Sequence, residues 1–110
     1  MTSLTLYVND KEAYQYNVEQ EPDEQQQAFL DKMDTDMARG IRVYGELFTQ
    51  PDAEQRQHFV AMNLLKGLQQ GNEAVVASSC AYLVSRQPDL SGIYAYDEGD
   101  KVRLEFSQKD

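Results

Sequence analysis

The chain has few of the residues from which catalytic and metal sites are usually built. Its 110 residues include one histidine, one cysteine and no tryptophan, with only six glycines and three prolines. It has no glycine-rich phosphate loop and no metal-ligand spacing of cysteine and histidine. No nucleophile, base and orienting group can be assembled from these residues, so we expect neither an enzyme nor a cofactor or metal site.

Basic residues are also scarce. Ten Lys and Arg stand against 19 Asp and Glu, which gives a formal net charge of −9, and no two basic residues are adjacent. A surface this negative repels phosphate, so we expect no direct binding of nucleic acid. The predicted pattern of residues 59–84 is superficially that of a helix-turn-helix motif, but its second helix is too apolar to contact DNA bases.

Long apolar runs are absent, and the single cysteine excludes an intrachain disulfide. No stretch reaches the ~18 apolar residues that a membrane span needs, and the first residues do not have a signal-peptide pattern. Cys80 has apolar neighbours, which predicts a buried, unreactive thiol. We therefore expect a cytoplasmic protein with no membrane anchor.

The hydrophobic pattern predicts a β-hairpin at each end of the chain and helices between them. Residues 3–18 and 92–107 alternate apolar and polar side chains around turn-forming residues. Isolated hairpins are marginal in water, so we expect them to join into one antiparallel sheet, covered on one face by three helices. The predicted fold is a single α+β domain over residues 1–110, in the order ββαααββ.

The middle of the chain divides into three predicted helices. Asp23 is suited to cap the first, and Gly40 weakens its apolar stripe, so a kink or break near Gly40 and a straight helix fit the pattern equally well. Residues 41–48 also fit an extended pattern, but we favour helix. Pro51 suits the first position of the second helix, Gly71 its end, and Asn72 the start of an apolar, buried third helix.

Each hairpin has a predicted pairing. A loop over residues 9–11 places Leu6 opposite Tyr14 on the inner face of the sheet. It also places Leu4 opposite Tyr16.

In the second hairpin, a two-residue turn at residues 98–99 would place Tyr94 opposite Arg103 and Tyr96 opposite Lys101. A bulged turn at Gly99 would shift this pairing by one residue.

Three tyrosines and an arginine share the outer face under this register: Tyr7, Tyr94, Tyr96 and Arg103. Aromatic residues and arginine are enriched at interface centres, so we interpret this set as a protein interface and predict a homodimer. The alternative is that the tyrosines are there for their strand propensity alone.

Three acids, Asp31, Asp34 and Asp36, form a second candidate surface. They lack the spacing and the glycine turn of a calcium loop, so they are either a solvated helix face or a docking face for a basic partner. Residues 19–36 contain seven Asp and Glu residues and one basic residue, Lys32. This density also suits an acidic inhibitor that mimics nucleic acid.

The pattern favours a non-enzymatic, self-associating protein-interaction module. The alternative is a small-molecule-binding protein with a pocket between sheet and helices, lined by Tyr14, Tyr16, Tyr44, Met33 and Met37.

Overall fold

The chain folds into an α+β structure, as predicted. The computed structural model describes residues 2–18, 23–43 and 45–108. The elements in chain order are β1 (Thr2–Val8), β2 (Lys11–Val18), α1 (Glu24–Ala38), β3 (Ile41–Val43), β4 (Glu46–Phe48), α2 (Ala53–Gln70), α3 (Glu73–Arg86), β5 (Leu90–Asp97) and β6 (Val102–Gln108). The order is therefore ββαββααββ, and the predicted ββαααββ missed the short hairpin β3–β4. Two acids of the predicted acidic stretch, Glu19 and Glu21, lie outside the described residues.

The two terminal hairpins join into a four-stranded sheet with the order β2-β1-β5-β6. The central strands β1 and β5 run parallel, from Thr5 opposite Gly92 to Val8 opposite Ala95. The prediction of an antiparallel sheet was therefore wrong, because the sheet is mixed. The long connection through the helices returns the chain to the end of the sheet where β1 begins, as a parallel pair requires.

The first hairpin has the predicted pairing but a shorter turn. Leu6 lies opposite Tyr14 and Leu4 opposite Tyr16, as expected. The turn consists of Asn9 and Asp10 alone, both with positive φ (50° and 70°), which is typical of tight hairpin turns. A register shift beside Leu6 adds one residue to β2 and restores the predicted pairs.

The second hairpin is shifted by two residues from the prediction. Tyr96 pairs with Arg103 and Tyr94 with Glu105, so the predicted partners Arg103 for Tyr94 and Lys101 for Tyr96 were wrong. Residues 98–101 form the loop, in which the Gly99 amide donates to the Asp97 carboxylate at 3.0 Å and Gly99 adopts a φ of 93°. Since the shift is even, every side chain keeps its predicted face.

Residues 41–43 and 46–48 pair as two antiparallel strands and are not helical. Helix α1 ends at Ala38, and Gly40 has a φ of 133°, which a continuing helix does not allow. Ile41 then lies in the core, with 4% of its surface exposed. The favoured helix was wrong and the extended alternative was correct; Tyr44 lies outside the described residues.

The helix ends follow the predicted capping residues with one exception. Asp23 caps α1, Gly71 ends α2 in a left-handed conformation, and Asn72 caps α3. Helix α2 starts two residues later than expected: its first residue is Ala53, Asp52 is its N-cap, and Pro51 precedes the cap.

One hydrophobic core lies between the inner face of the sheet and the helices. Fully buried members are Leu4, Leu6, Leu30, Val60, Leu64, Cys80, Leu83, Leu90 and Ile93. Helix α3 packs against α2 and β1, while its Ala74 and Ala77 are exposed. It is therefore less enclosed than its composition predicts.

Candidate interaction surfaces

The four residues predicted as an interface lie together on the outer face of the sheet. Burial alternates along the strands: Leu4, Leu6, Ile93 and Ala95 are buried beneath the helices. In the same strands Tyr7, Tyr94 and Tyr96 are only half-buried, and Arg103 on β6 is exposed. We call this set of four residues the tyrosine face.

Tyr7 and Tyr94 form the aromatic half of the tyrosine face. They are directly opposite each other in the parallel pair, with ring centroids 4.7 Å apart and ring planes 7° from parallel. Gly92 makes room beside them, since a Cβ at that position would lie 3.4 Å from the Tyr94 ring and 2.8 Å from the Ser107 hydroxyl. The stacked rings hold each other in one orientation.

Tyr96 and Arg103 form the charged half. The Arg103 guanidinium lies 4.5 Å from the centre of the Tyr96 ring, a cation–π geometry. Arg103 Nε donates to Glu98 at 3.3 Å, and its Nη1 pairs with Glu105. The Tyr96 hydroxyl donates to Asp10 at 3.3 Å, and desolvation together with this carboxylate raises the pKa of Tyr96.

The three acids Asp31, Asp34 and Asp36 do not form one uniform surface. Asp34 accepts hydrogen bonds from the Tyr82 hydroxyl and from Arg86 Nε at 3.0 Å. Asp31 pairs with the other side of Arg86 at 2.7 Å, so Asp31 and Asp34 share a helix face. Asp36 is exposed. The docking role stays a prediction, but two of its three carboxylates are engaged within the molecule.

The partners of Asp34 were missed by sequence reasoning. Tyr82 and Arg86 lie 48 and 52 positions along the chain, and Arg56 on α2 adds an ion pair at 3.4 Å. Burial and the hydrogen bond to Asp34 raise the pKa of Tyr82. The spacing of Tyr82 and Arg86 by four residues places both side chains on one face of α3, but it does not identify Asp34 as their partner.

Two aromatic residues of the predicted small-molecule pocket, Tyr14 and Tyr16, pack against the core. Tyr14 and Tyr16 are half-buried. Burial raises the pKa of each tyrosine, and the nearby Cys80 raises it further. Met37 is buried and Met33 half-buried. The binding role of this set stays a prediction.

Cys80 itself is buried, as expected, with 1% of its surface exposed. Burial raises the pKa of its thiol to about 12.

A groove that the sequence did not indicate lies between the start of α2 and strand β6. It has a volume of about 630 Å³, and its lining residues are Ala53, Glu54, Gln57, Gln87, Leu104, Glu105, Phe106 and Gln108. The His58 ring meets Phe106 edge to face, with centroids 5.8 Å apart. Burial lowers the pKa of His58, and Glu54 acts in the opposite direction.

Over residues 2–18, 23–43 and 45–108, no three His, Cys, Asp or Glu side chains are grouped so that they could hold a metal ion. No helix within these ranges combines the length and apolar character needed to cross a membrane. Comparisons with protein-family models, with curated proteins and with solved structures gave no match.

Proposed function

We propose that this protein is a non-enzymatic interaction module that self-associates through the tyrosine face. The observation that supports this most is the placement of Tyr7, Tyr94, Tyr96 and Arg103 on the face of the sheet opposite the core. Tyrosine and arginine are the residues most often found at the centres of interfaces.

The side chains of the tyrosine face are already held in place before a partner binds, which favours binding. Tyr7 and Tyr94 are stacked, and Arg103 is held over Tyr96 and beside Glu98. Side chains that are already fixed lose little conformational entropy when a partner packs against them. The tyrosine rings also provide apolar area with hydroxyl groups at the edge, which suits an interface that forms between soluble copies.

A second copy is the partner that we propose for this face. Each copy carries a cation, Arg103, next to the carboxylates of Glu98 and Glu105. In a two-fold arrangement the cation of one copy can approach the acids of the other, and the aromatic halves can meet. The net charge of −9 on each copy opposes association, but salt screens this repulsion over ~8 Å at physiological ionic strength.

The test is sedimentation velocity at micromolar to millimolar concentrations. We expect the wild type to self-associate and Tyr94→Glu to sediment as a smaller species at the same concentration. Gln69→Glu, which adds the same charge at the exposed end of α2, is the matched control and should associate as the wild type does. A wild type that is monomeric throughout, or a Tyr94→Glu variant that sediments as the wild type does, contradicts the proposal.

The same proposal places the protein in the cytoplasm. Its support is the single cysteine, which is buried as a free thiol and therefore suits a reducing compartment.

A further inference from the structure

Strand β6 is an edge of the main sheet. Among the described strands it pairs with β5 alone, so the backbone groups on its other side are available to a further strand. The strand is seven residues long and contains no proline. Edges of this kind bind extended segments by adding them to the sheet.

The sequence of β6 is complementary to itself when reversed. Val102, Leu104 and Phe106 lie on the inner face, and the outer face carries Arg103 on one side of Leu104 and Glu105 on the other. In an antiparallel pair with Leu104 opposite Leu104, each Arg103 is opposite Glu105 of the second copy. Val102 is then opposite Phe106, so apolar side chains also meet apolar side chains.

The neighbouring registers lack this match. Centring the pair on Arg103 or on Glu105 places like charges directly opposite each other, which is destabilising. A shift by one residue places Leu104 opposite a charged side chain and turns one strand over. The charges on β6 therefore select the register centred on Leu104.

We propose that β6 pairs with β6 of a second copy in this register, joining two four-stranded sheets into one of eight strands. The proposal rests on the self-association proposed above and adds a second contact to it. The two-fold axis of such a pair is perpendicular to the sheet, so both tyrosine faces lie on the same side. Phe106 and Val102, half-buried at the open edge, gain cover from the second copy.

The charged pairs set the register more than they set the affinity. Arg103 and Glu105 have side chains 46% and 54% exposed, and such pairs contribute little to binding energy. Each Arg103 already contacts Glu105 of its own strand, so pairing creates a cluster of four alternating charges. Backbone hydrogen bonds and the apolar row through Leu104 supply the remaining attraction.

Cysteine cross-linking tests the register directly. Arg103→Cys and Glu105→Cys copies are mixed and oxidised at a concentration where the wild type is associated. In a mixed dimer in the proposed register, the cysteine at position 103 lies opposite the cysteine at position 105, with Cβ atoms ~5 Å apart. In a dimer of either variant alone, the two cysteines lie diagonally across the pair, at ~7 Å. A disulfide needs Cβ atoms ~4 Å apart. We therefore expect cross-linked dimer to accumulate in the mixture and to stay at background in each variant alone.

A matched control uses the opposite edge of the sheet. Gln15→Cys on β2 is exposed and should give no cross-link with Arg103→Cys. Equal cross-linking in all samples, or none in the mixture, overturns the β6 pairing.

The same experiment in a Tyr94→Glu background separates the two proposals. Cross-linking that persists there supports the edge contact, and sedimentation of that background identical to that of the wild type contradicts the tyrosine-face contact alone. If Tyr94→Glu abolishes association and the parent mixture gives no cross-link, the edge contact alone is contradicted. A wild type that is monomeric and does not cross-link contradicts both.

Discussion

Asp34 accepts a hydrogen bond from the Tyr82 hydroxyl and thereby joins α1 to α3. This link matters because α1 contributes only two buried side chains, Leu30 and Met37, to the core. The ion pair between Asp34 and Arg86 strengthens the same connection. The position of α1 therefore depends on polar contacts as well as on packing.

We expect Asp34→Asn to lower the free energy of unfolding by about 2 kcal/mol, the size typical of hydrogen bonds to a charged group. Urea denaturation followed by circular dichroism measures the change. Asp36→Asn, at an exposed position in the same helix turn, is the control and should change the stability by less than about 0.5 kcal/mol. Equal effects of the two substitutions would remove the structural role of Asp34.

Gly92 allows the close approach of the Ser107 side chain on β6 to β5. Gly92→Ala brings a methyl group to 2.8 Å from the Ser107 hydroxyl, so we expect a loss of about 1–3 kcal/mol in stability. Ser107→Ala removes the oxygen that clashes. We therefore expect the double variant, Gly92→Ala with Ser107→Ala, to be more stable than the summed stability changes of the two single variants predict. Strict additivity of these changes would show that the clash does not cause the loss of stability.

His58 should make the stability depend on pH below neutrality. Burial lowers its pKa below 6.5, so the unfolded chain binds a proton more readily than the folded protein. The stabilisation is complete above the unfolded pKa and is lost as the pH falls from 6.5 towards the lower folded value. Urea midpoints between pH 7.5 and 5.5 should fall for the wild type and change less for His58→Gln.

Cys80 should be protected from thiol reagents in the folded protein. Its side chain is 1% exposed, and burial raises its thiol pKa to about 12, so little thiolate forms at neutral pH. We expect labelling to be slow in buffer and fast in urea. Native labelling at the rate of the unfolded chain would mean that α3 is not held against the core.

The features that sequence predicted well are those that depend on local pattern. The pairs Leu6–Tyr14 and Leu4–Tyr16 follow from alternation and a short turn, and the faces of Tyr94 and Arg103 survive an error of two residues in register. Strand alternation fixes a face more firmly than it fixes a partner.

The features that sequence missed depend on distant parts of the chain. The parallel pairing of β1 with β5 is set by the path of the helices between them. The contact between Asp34 and Tyr82 spans 48 positions, and no local pattern encodes it. The hairpin formed by β3 and β4 was missed because a glycine within a helical apolar pattern indicates only a less stable helix. In the structure Gly40 has a φ that ends the helix.

The most direct test of the tyrosine face is a dilution series followed by NMR of tyrosine ring signals. Association through this face predicts that the signals of Tyr7, Tyr94 and Tyr96 shift together as the concentration rises. The inner-face residues Tyr14 and Tyr16 serve as controls in the same spectrum and should not move. Ring signals of Tyr7, Tyr94 and Tyr96 that stay constant up to millimolar concentration would contradict self-association through the tyrosine face.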